Sequence, residues 1–344
     1  MSPETKTVPA EDRILLAHGS GGELSQQLVA SVFARAFRNP ILQPLDDAAV
    51  IPAGGANWAF TTDSYVVTPI FFPGGDIGRL AVCGTVNDLS TSGARPRYLS
   101  AGFILEEGFL LADLRRIVES MQEAAAEAGV QIVTGDTKVV NRGGADGVFI
   151  NTAGIGLIPP GVNLSGGNAR PGDRVLVSGT LGDHGVAILS AREGLEFSTT
   201  LASDCAPLNH LVQRMIEVSP HIHCLRDPTR GGLSSTLNEI ARQSGVGVWV
   251  EESRIPVKEE VRGACELLGL EPWILANEGK MIAVVAGDDA PGILRAMKDH
   301  PLGRDAAIIG EVREEPRGKV VLRTPIGSTR LLDMMVGEPL PRIC

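Results

Sequence analysis

No apolar run in this sequence approaches the ~20 residues a membrane-spanning helix requires, and Met281–Ala286 reads instead as a buried strand. The opening Met1–Pro9 has no apolar signal-peptide core, so secretion is not expected. Cysteine is sparse: Cys83, Cys205, Cys224, Cys265 and Cys344 are scattered, odd in number, and form no Cys-x-x-Cys pair. That argues against a disulfide framework or a structural zinc site and makes a reducing cytoplasm the expected setting. Basic residues are outnumbered, 31 Lys and Arg against 41 Asp and Glu; the net charge of −10 and pI near 5.2 leave no basic face for a nucleic acid. No Gly-x-x-x-x-Gly-Lys-[Ser/Thr] loop occurs, which excludes a P-loop enzyme. Short repeats and low-complexity tracts are also missing.

What is present is a chain of 344 residues, 43% hydrophobic, long enough for two domains with separate cores. Strand-like runs alternate with helical ones. Strands are expected at 57–62, 98–105, 130–133 and 148–158, with helices at 76–93 and 110–128. The second of these helices puts Leu111, Leu114, Val118, Met121 and Ala125 on one face and is followed by Gly129 at its end. Residues 159–168 are turn chemistry without periodicity and mark the best domain boundary. Beyond it the pattern restarts. Strands are expected at 174–177, 222–225, 246–250, 281–285 and 307–312, and helices at 181–192, 208–218, 233–243, 257–268 and 290–298. The class is two-domain α/β or α+β, with units 1–160 and 170–336 and a mobile tail, 337–344.

Aspartates stand at the ends of apolar runs. Asp46 and Asp47 precede Ala48–Ile51, Asp63 closes Ala59–Thr62, Asp136 ends Ile132–Gly135, and Asp227 ends His223–Arg226. Carboxylates so placed either converge on one crevice, where hard oxygen ligands suit Mg²⁺ carried by a nucleotide, or cap helices and make Asx turns. Asp88 is different. It follows Asn87 inside the small-residue helix Ala81–Val86, where an aspartate is costly unless paired or metal-bound. The glycine-rich His18–Gly22 could wrap phosphates through backbone N–H groups, although such turns are common. His221 and His223 share one strand face and could hold a transition metal or simply pack in the core.

The closing residues put a thiol, Cys344, on a tail in which Pro339 and Pro341 prevent a helix or a central strand. In polyproline-II geometry, at roughly 3.1 Å per residue, its last eight residues reach about 25 Å. Such an arm could carry a thiol into a pocket and out to a partner; the alternative is an ordinary frayed end.

Taken together, His18–Gly22, Asp46–Val50, Thr61–Ser64, Gly84–Leu89, Thr134–Lys138, Arg226–Gly232, Asn277–Gly279 and the closing Pro341–Cys344 resemble one known family. It is the HypE family of hydrogenase maturation proteins, within the PurM-like (aminoimidazole-ribonucleotide-synthetase-like) ATP-binding superfamily. The resemblance runs from about residue 12 to the last residue; the acidic motifs are common to the superfamily, and Pro-Arg-Ile-Cys discriminates this branch. It implies a homodimer paired through an N-terminal β-barrel, with ATP in the groove between that half and a C-terminal α/β half. Asp47, Asp63, Asp88 and Asp227 would lie at the Mg²⁺ and phosphates, with Asp47, Asp88 and Asp227 as metal ligands. Gly21, Gly22, Asn87, Asp136 and Thr137 would lie close to the nucleotide, with Asp46 left to cap its turn. The family builds the cyanide ligands of [NiFe]-hydrogenase: HypF loads the terminal thiol with a carbamoyl group, the ATP site dehydrates it to a thiocyanate, and a HypC–HypD complex receives the cyanide.

That chemistry assigns further roles. Expelling the carbamoyl oxygen requires phosphorylating it, neutralising charge on the phosphoryl, and removing N–H protons. Lys138 is the candidate cation and Glu278, if burial raises its pKa, the candidate base. Arg342 beside the thiol is expected to favour the thiolate or guide the tail. Other PurM-like enzymes, such as thiamine-phosphate kinase, share the acidic loops without needing a terminal thiol. Selenophosphate synthetase would place a reactive Cys or Sec and a Lys in the glycine loop, and His18–Gly22 has neither. A non-catalytic thiol carrier is the reading from a different class.

Overall fold

The computed structural model describes residues 14–19, 21–193, 201–334 and 342–344. Ser20 of the glycine-rich motif and the extended run expected over Gly337–Pro341 lie outside the described residues. A short helical lead, α1 (Gly22–Leu28) and α2 (Ala34–Ala36), precedes the first sheet. That sheet is built from β1 (Ala49–Ala53), β2 (Ala56–Tyr65), β5 (Arg95–Glu106), β6 (Gln131–Val140) and β7 (Val148–Ile158), in the order β1-β2-β7-β5-β6. A small hairpin, β3 (Phe71–Phe72) and β4 (Gly75–Asp76), leads into α3 (Ile77–Thr91). All neighbours in the sheet are antiparallel except β5 and β6, a parallel pair joined by the crossover helix α4 (Leu111–Ala128).

Helix α3 starts where Asp76 accepts hydrogen bonds from the N–H groups of Gly78 (2.7 Å) and Arg79 (3.1 Å), a standard N-cap arrangement. It is buried almost end to end, between the sheet and α4. Gly78 sets the second contact: a Cβ there would lie 2.4 Å from the Ile117 carbonyl. The close approach turns Ile117, Met121, Ala124, Ala125 and Ala128 inward, so the buried face of α4 keeps Met121 and Ala125 of the one read from the sequence and is rotated away from the rest. Leu111 and Val118 are instead exposed. Gly129, at φ 70°, ends the helix as expected.

The second sheet runs β14 (Thr329–Leu331), β13 (Lys319–Arg323), β10 (Gly247–Glu251), β12 (Ala307–Arg313), β8 (Arg174–Val177), β11 (Ile282–Val285), β9 (Ile222–Arg226). Helices α6 (Asn209–Val218) and α9 (Ala290–Lys298) cover one face, and α7 (Gly232–Ser244) the other. β8 and β11 are therefore buried on both sides, which is why they read as continuous apolar runs. α5 (Asp183–Glu193) and α8 (Glu259–Leu268) follow β8 and β10 in sequence, yet Val186, Ile188, Val261 and Ala264 join the core of the first half. α3 also packs against α6 and β9, so the two sheets face each other across a seam.

Two expectations about strand ends are corrected. β2 continues to Tyr65 and β6 to Val140, so Asp63 and Asp136 are internal strand residues and not loop residues. The apolar runs that marked these strands stop early, but backbone pairing does not: Asp63 pairs with Thr152 and Asp136 with Gly102.

Candidate active site

Four aspartates from four elements of the seam interact electrostatically. Asp47 precedes β1, Asp63 lies in β2, Asp88 in the last turns of α3, and Asp227 just after β9. Burial pushes all four carboxyls up from their ordinary range, Asp88 well above it and Asp227 to about 8. Mutual repulsion adds to burial: Asp88 is raised further by Asp63, Asp227 and Asp47. The Thr61 hydroxyl bridges two of these segments. It lies 2.9 Å from both the Asp47 carbonyl and Asp88 Oδ2 and donates toward both. That donation partly offsets the upward shift of Asp88.

Supporting groups hold the cluster. The Tyr65 hydroxyl donates to Asp63 Oδ2 (3.1 Å), and Gly84 of α3 leaves room for it; a Cβ at Gly84 would come within 2.2 Å of the Tyr65 oxygen. Arg226 Nη1 donates to Asp47 (2.8 Å) and Glu239 (2.8 Å), so part of the charge on Asp47 is already paired. Asp46 faces another way. It accepts from Ser165 Oγ (2.6 Å) and the Gly166 N–H (2.9 Å), tying the inter-sheet connection down, which agrees with a turn-capping role.

Glu278 stands on the opposite wall. Asn277 locks its turn onto the Asp227 loop, donating from Nδ2 to the Pro228 carbonyl (2.9 Å) and accepting from the Gly182 N–H (2.7 Å). The Glu278 N–H donates to Asp204 (3.1 Å), itself paired with Lys280 (3.1 Å). The carboxyl is 3% exposed, and its Oε1 has no hydrogen-bond partner among the described residues. Burial, then Asp227, Asp204 and Asp63, push it well above the ordinary carboxylate range.

Cys344 reaches the same place. Ile343 is buried in the core of the first half, and the Val66 and Thr68 N–H groups donate to the carbonyls of Cys344 and Arg342, both at 3.2 Å. Burial pushes the Cys344 thiol up to about 12; Arg230 opposes this, while Glu278, Asp63 and Asp227 reinforce it. Arg342 is not a thiolate partner. Its Nε donates to the Val66 carbonyl (2.9 Å) and its guanidinium pairs with Asp146.

Arg230 is the residue that sequence reasoning missed. Cys344, Asp63 and Glu278 all favour its charged form, and it donates to the Gly19 carbonyl in the glycine-rich segment. Its appearance in the Arg226–Gly232 motif was the available signal. A cavity of about 440 Å³ is lined by His18, Gly19, Gly21, Asp47, Asp227 and Arg230, at the N-terminal side of the seam. Gly21 thus borders the crevice, at φ 74°, and Gly22 opens α1 beside it.

Four expected residues are not brought there. Asn87 is consumed structurally: its Oδ1 accepts from the Leu208 N–H (2.8 Å) and its Nδ2 donates to the Ala206 carbonyl (3.1 Å), clipping α3 to the second half. Asp136, Thr137 and Lys138 sit on β6, the far edge of the sheet. Lys138 Nζ pairs with Asp136 at 2.6 Å, both side chains about two-thirds exposed. Between Asp63 and Gly135 lie Thr152 and Ala101, three inter-strand steps of about 4.8 Å, or roughly 14 Å. Within one chain Lys138 therefore cannot serve the thiol. His221 and His223 pair separately, with Asp289 (2.6 Å) and Asp173 (2.8 Å). No three His, Cys, Asp or Glu among the described residues form a ready metal cage. Mg²⁺ does not demand one: it binds through one or two carboxylates with substrate phosphates and water, and the surplus charge on Asp47, Asp63, Asp88 and Asp227 fits that donor set. No helix among the described residues is long and apolar enough to cross a membrane.

Comparison with known proteins identifies the fold and the family. Residues 45–158 match the N-terminal domain of AIR synthase related proteins and residues 170–323 the C-terminal domain. The chain is 57% identical over 329 residues to the carbamoyl dehydratase HypE of Azotobacter vinelandii, covering 96% of both. A crystal structure of a HypE–HypF complex superposes with a TM-score of 0.86 at 52% identity, over 90% of this chain and 99% of that one. One of HypE in complex with ATP gives 0.82 at 54% identity, over 96% of this chain and all of that one. With its two-domain PurM-like α/β fold, the chain belongs to the HypE family of hydrogenase maturation proteins.

Proposed function

We propose that this protein is an ATP-dependent carbamoyl dehydratase acting on a carbamoyl group carried by Cys344, in the assembly of hydrogenase cyanide ligands. The observation that carries the reading is the position of the thiol: Cys344 shares one electrostatic neighbourhood with Asp63, Asp227, Glu278 and Arg230. The net change takes S–C(=O)–NH₂ to S–C≡N. The S–C bond is kept, the carbon loses its oxygen, and the nitrogen loses two protons. ATP, with Mg²⁺, supplies the phosphoryl that turns the carbamoyl oxygen into a phosphate leaving group. Asp47, Asp88 and Asp227 would hold the metal that carries the phosphates, with Asp63 beside it, and the Gly21 and Gly22 backbone would border the nucleotide. Arg230 takes the charge-neutralising role that the sequence suggested for Lys138. Glu278 accepts one N–H proton, and the departing phosphate carries the other away: the glutamate is buried, its Oε1 has no partner among the described residues, and its affinity for protons is raised. A cation held at Asp227 would relieve the repulsion that Asp227 adds to burial at Glu278, lowering its proton affinity as the nucleotide arrives.

Two sheets that share no strand support units of 1–160 and 170–336. The unpaired β6 edge, with Val133 and Val139 exposed, supports a homodimer joined there, and a second copy is the route by which Asp136, Thr137 and Lys138 would approach a nucleotide. HypF as carbamoyl donor, HypC–HypD as acceptor and a cytoplasmic setting follow from the family, and five unpaired cysteines suit that setting. ATP turnover tests the proposal against a passive carrier. ADP formation should appear only when Cys344 is carbamoylated and should vanish in Cys344→Ala, which still binds ATP. Turnover independent of the thiol would refute it.

A further inference from the structure

The described end of the tail is held from two sides, by the segment after β2 and by α5. The Val66 and Thr68 N–H groups donate to it at 3.2 Å, long for such bonds. Two side chains of α5 make the shorter contacts: His184 Nε2 to the Ile343 carbonyl at 2.8 Å and Arg192 Nη2 to the Arg342 carbonyl at 2.9 Å. A carbonyl only accepts, so His184 carries its proton on Nε2. Its Nδ1 then accepts from Ser203 Oγ (2.8 Å), and Phe72 packs edge-on at 5.5 Å between ring centres. Arg192 has its own anchor, donating from Nε and Nη2 to the Thr68 carbonyl at 3.1 and 2.8 Å. Both donors are therefore fixed by groups outside the tail, and stay aimed at its seat when the tail is elsewhere.

We propose that His184 and Arg192 are positioning residues forming a latch that sets the division of Cys344 between the carboxylate cluster and an outward, loadable state. They grip the main chain of Arg342 and Ile343 and never touch the sulfur, so the latch works alike on a free, carbamoylated or dehydrated thiol. The proposal rests on the reading of Cys344 as the loaded group. Its strength must be intermediate, because loading and dehydration pull on it in opposite directions: a looser latch favours the first and a tighter one the second.

The full chain is treated with iodoacetamide and modification is read by peptide mass at each cysteine. Cys83, Cys205, Cys224 and Cys265 are buried and serve as internal controls for unfolding. Arg192→Met and His184→Phe should each speed Cys344 alkylation about tenfold, the scale of one lost hydrogen bond to a buried carbonyl, with the four controls unmodified. Arg192→Lys and His184→Gln, which keep a donor, should fall between them and the parent. A parental Cys344 rate in Arg192→Met and His184→Phe overturns the latch. Should those two variants expose the control cysteines, Arg192→Lys decides alone: an intermediate rate supports the latch and a parental rate overturns it. In a second arm, the loosened variants should be carbamoylated faster by a carbamoyl donor enzyme, yet dehydrate the loaded group more slowly. A general structural defect would slow both, which also overturns the proposal. If parent Cys344 is never carbamoylated, the functional reading fails, and the alkylation rates still judge the latch.

Discussion

Replacing Asp227 by asparagine should stabilise the free protein, although it disables the site. Asp227 holds its proton up to about pH 8 in the fold, against a reference of 3.8. Below about pH 4 both folded and unfolded chains carry that proton, and the group costs nothing. As pH rises the unfolded chain releases it and the folded chain does not, so stability is lost progressively up to about pH 8. Four units at about 1.4 kcal/mol each amount to roughly 6 kcal/mol at face value. Asp227 is only partly buried, and water entry and relaxation reduce such penalties, so about 2 to 4 kcal/mol is expected. In a chain of this size that is a melting-temperature difference of about 3–6 °C. Thermal melts of parent and Asp227→Asn across this range should coincide near pH 4 and diverge toward pH 8, the variant being the more stable. Magnesium and ATP should close the gap by stabilising the parent alone. A constant offset at every pH, or a variant less stable at high pH, would refute the electrostatic description of the cluster.

Asp88→Asn should weaken magnesium-dependent nucleotide binding by more than about tenfold in calorimetry, since loss of mere supporting groups already costs that much; unaltered affinity would remove Asp88 from the metal site. Arg230→Met should move the Cys344 thiol further upward and slow its alkylation near pH 9, because Arg230 is the cation that opposes burial there; an unchanged pH profile would show that it does not face the thiol. Gly84→Ala gains up to about 1 kcal/mol of helix propensity, yet its Cβ would meet the Tyr65 oxygen at 2.2 Å. Overpacking of about 1–3 kcal/mol should win, lowering the melting temperature and, through the lost Tyr65–Asp63 bond, nucleotide affinity as well.

The elements that carry the site were legible where periodicity and burial agree. α3 was found because small apolar residues surround Asp88, and β8 and β11 because both their faces are covered. Asp47, Asp63, Asp88, Asp227, Glu278 and Cys344 were named from their motifs and come together across the seam. The residues that do not join the cluster within one chain share a physical origin. Asn87 carries the same amide in a ligand as in a structural clip, and only the Leu208 and Ala206 backbone distinguishes the two uses. Asp136 and Lys138 follow an apolar run just as Asp63 does, but strand order puts them three strands away, and strand order is not written locally. On α4, Met121 and Ala125 are buried as read but Leu111 and Val118 are not, because Gly78, on a different helix, decides which residues approach. Arg230 was overlooked inside a motif read for its aspartate, and the α5 donors because their partners are main-chain carbonyls, which leave no mark in the sequence.

The most direct test is the mass of the peptide ending in Cys344 after incubation with a carbamoyl donor system, before and after addition of ATP. The account predicts a carbamoyl adduct that becomes one water lighter only with ATP, and that keeps this water in Glu278→Gln. An adduct unchanged by ATP, or carried on any other residue, would contradict it.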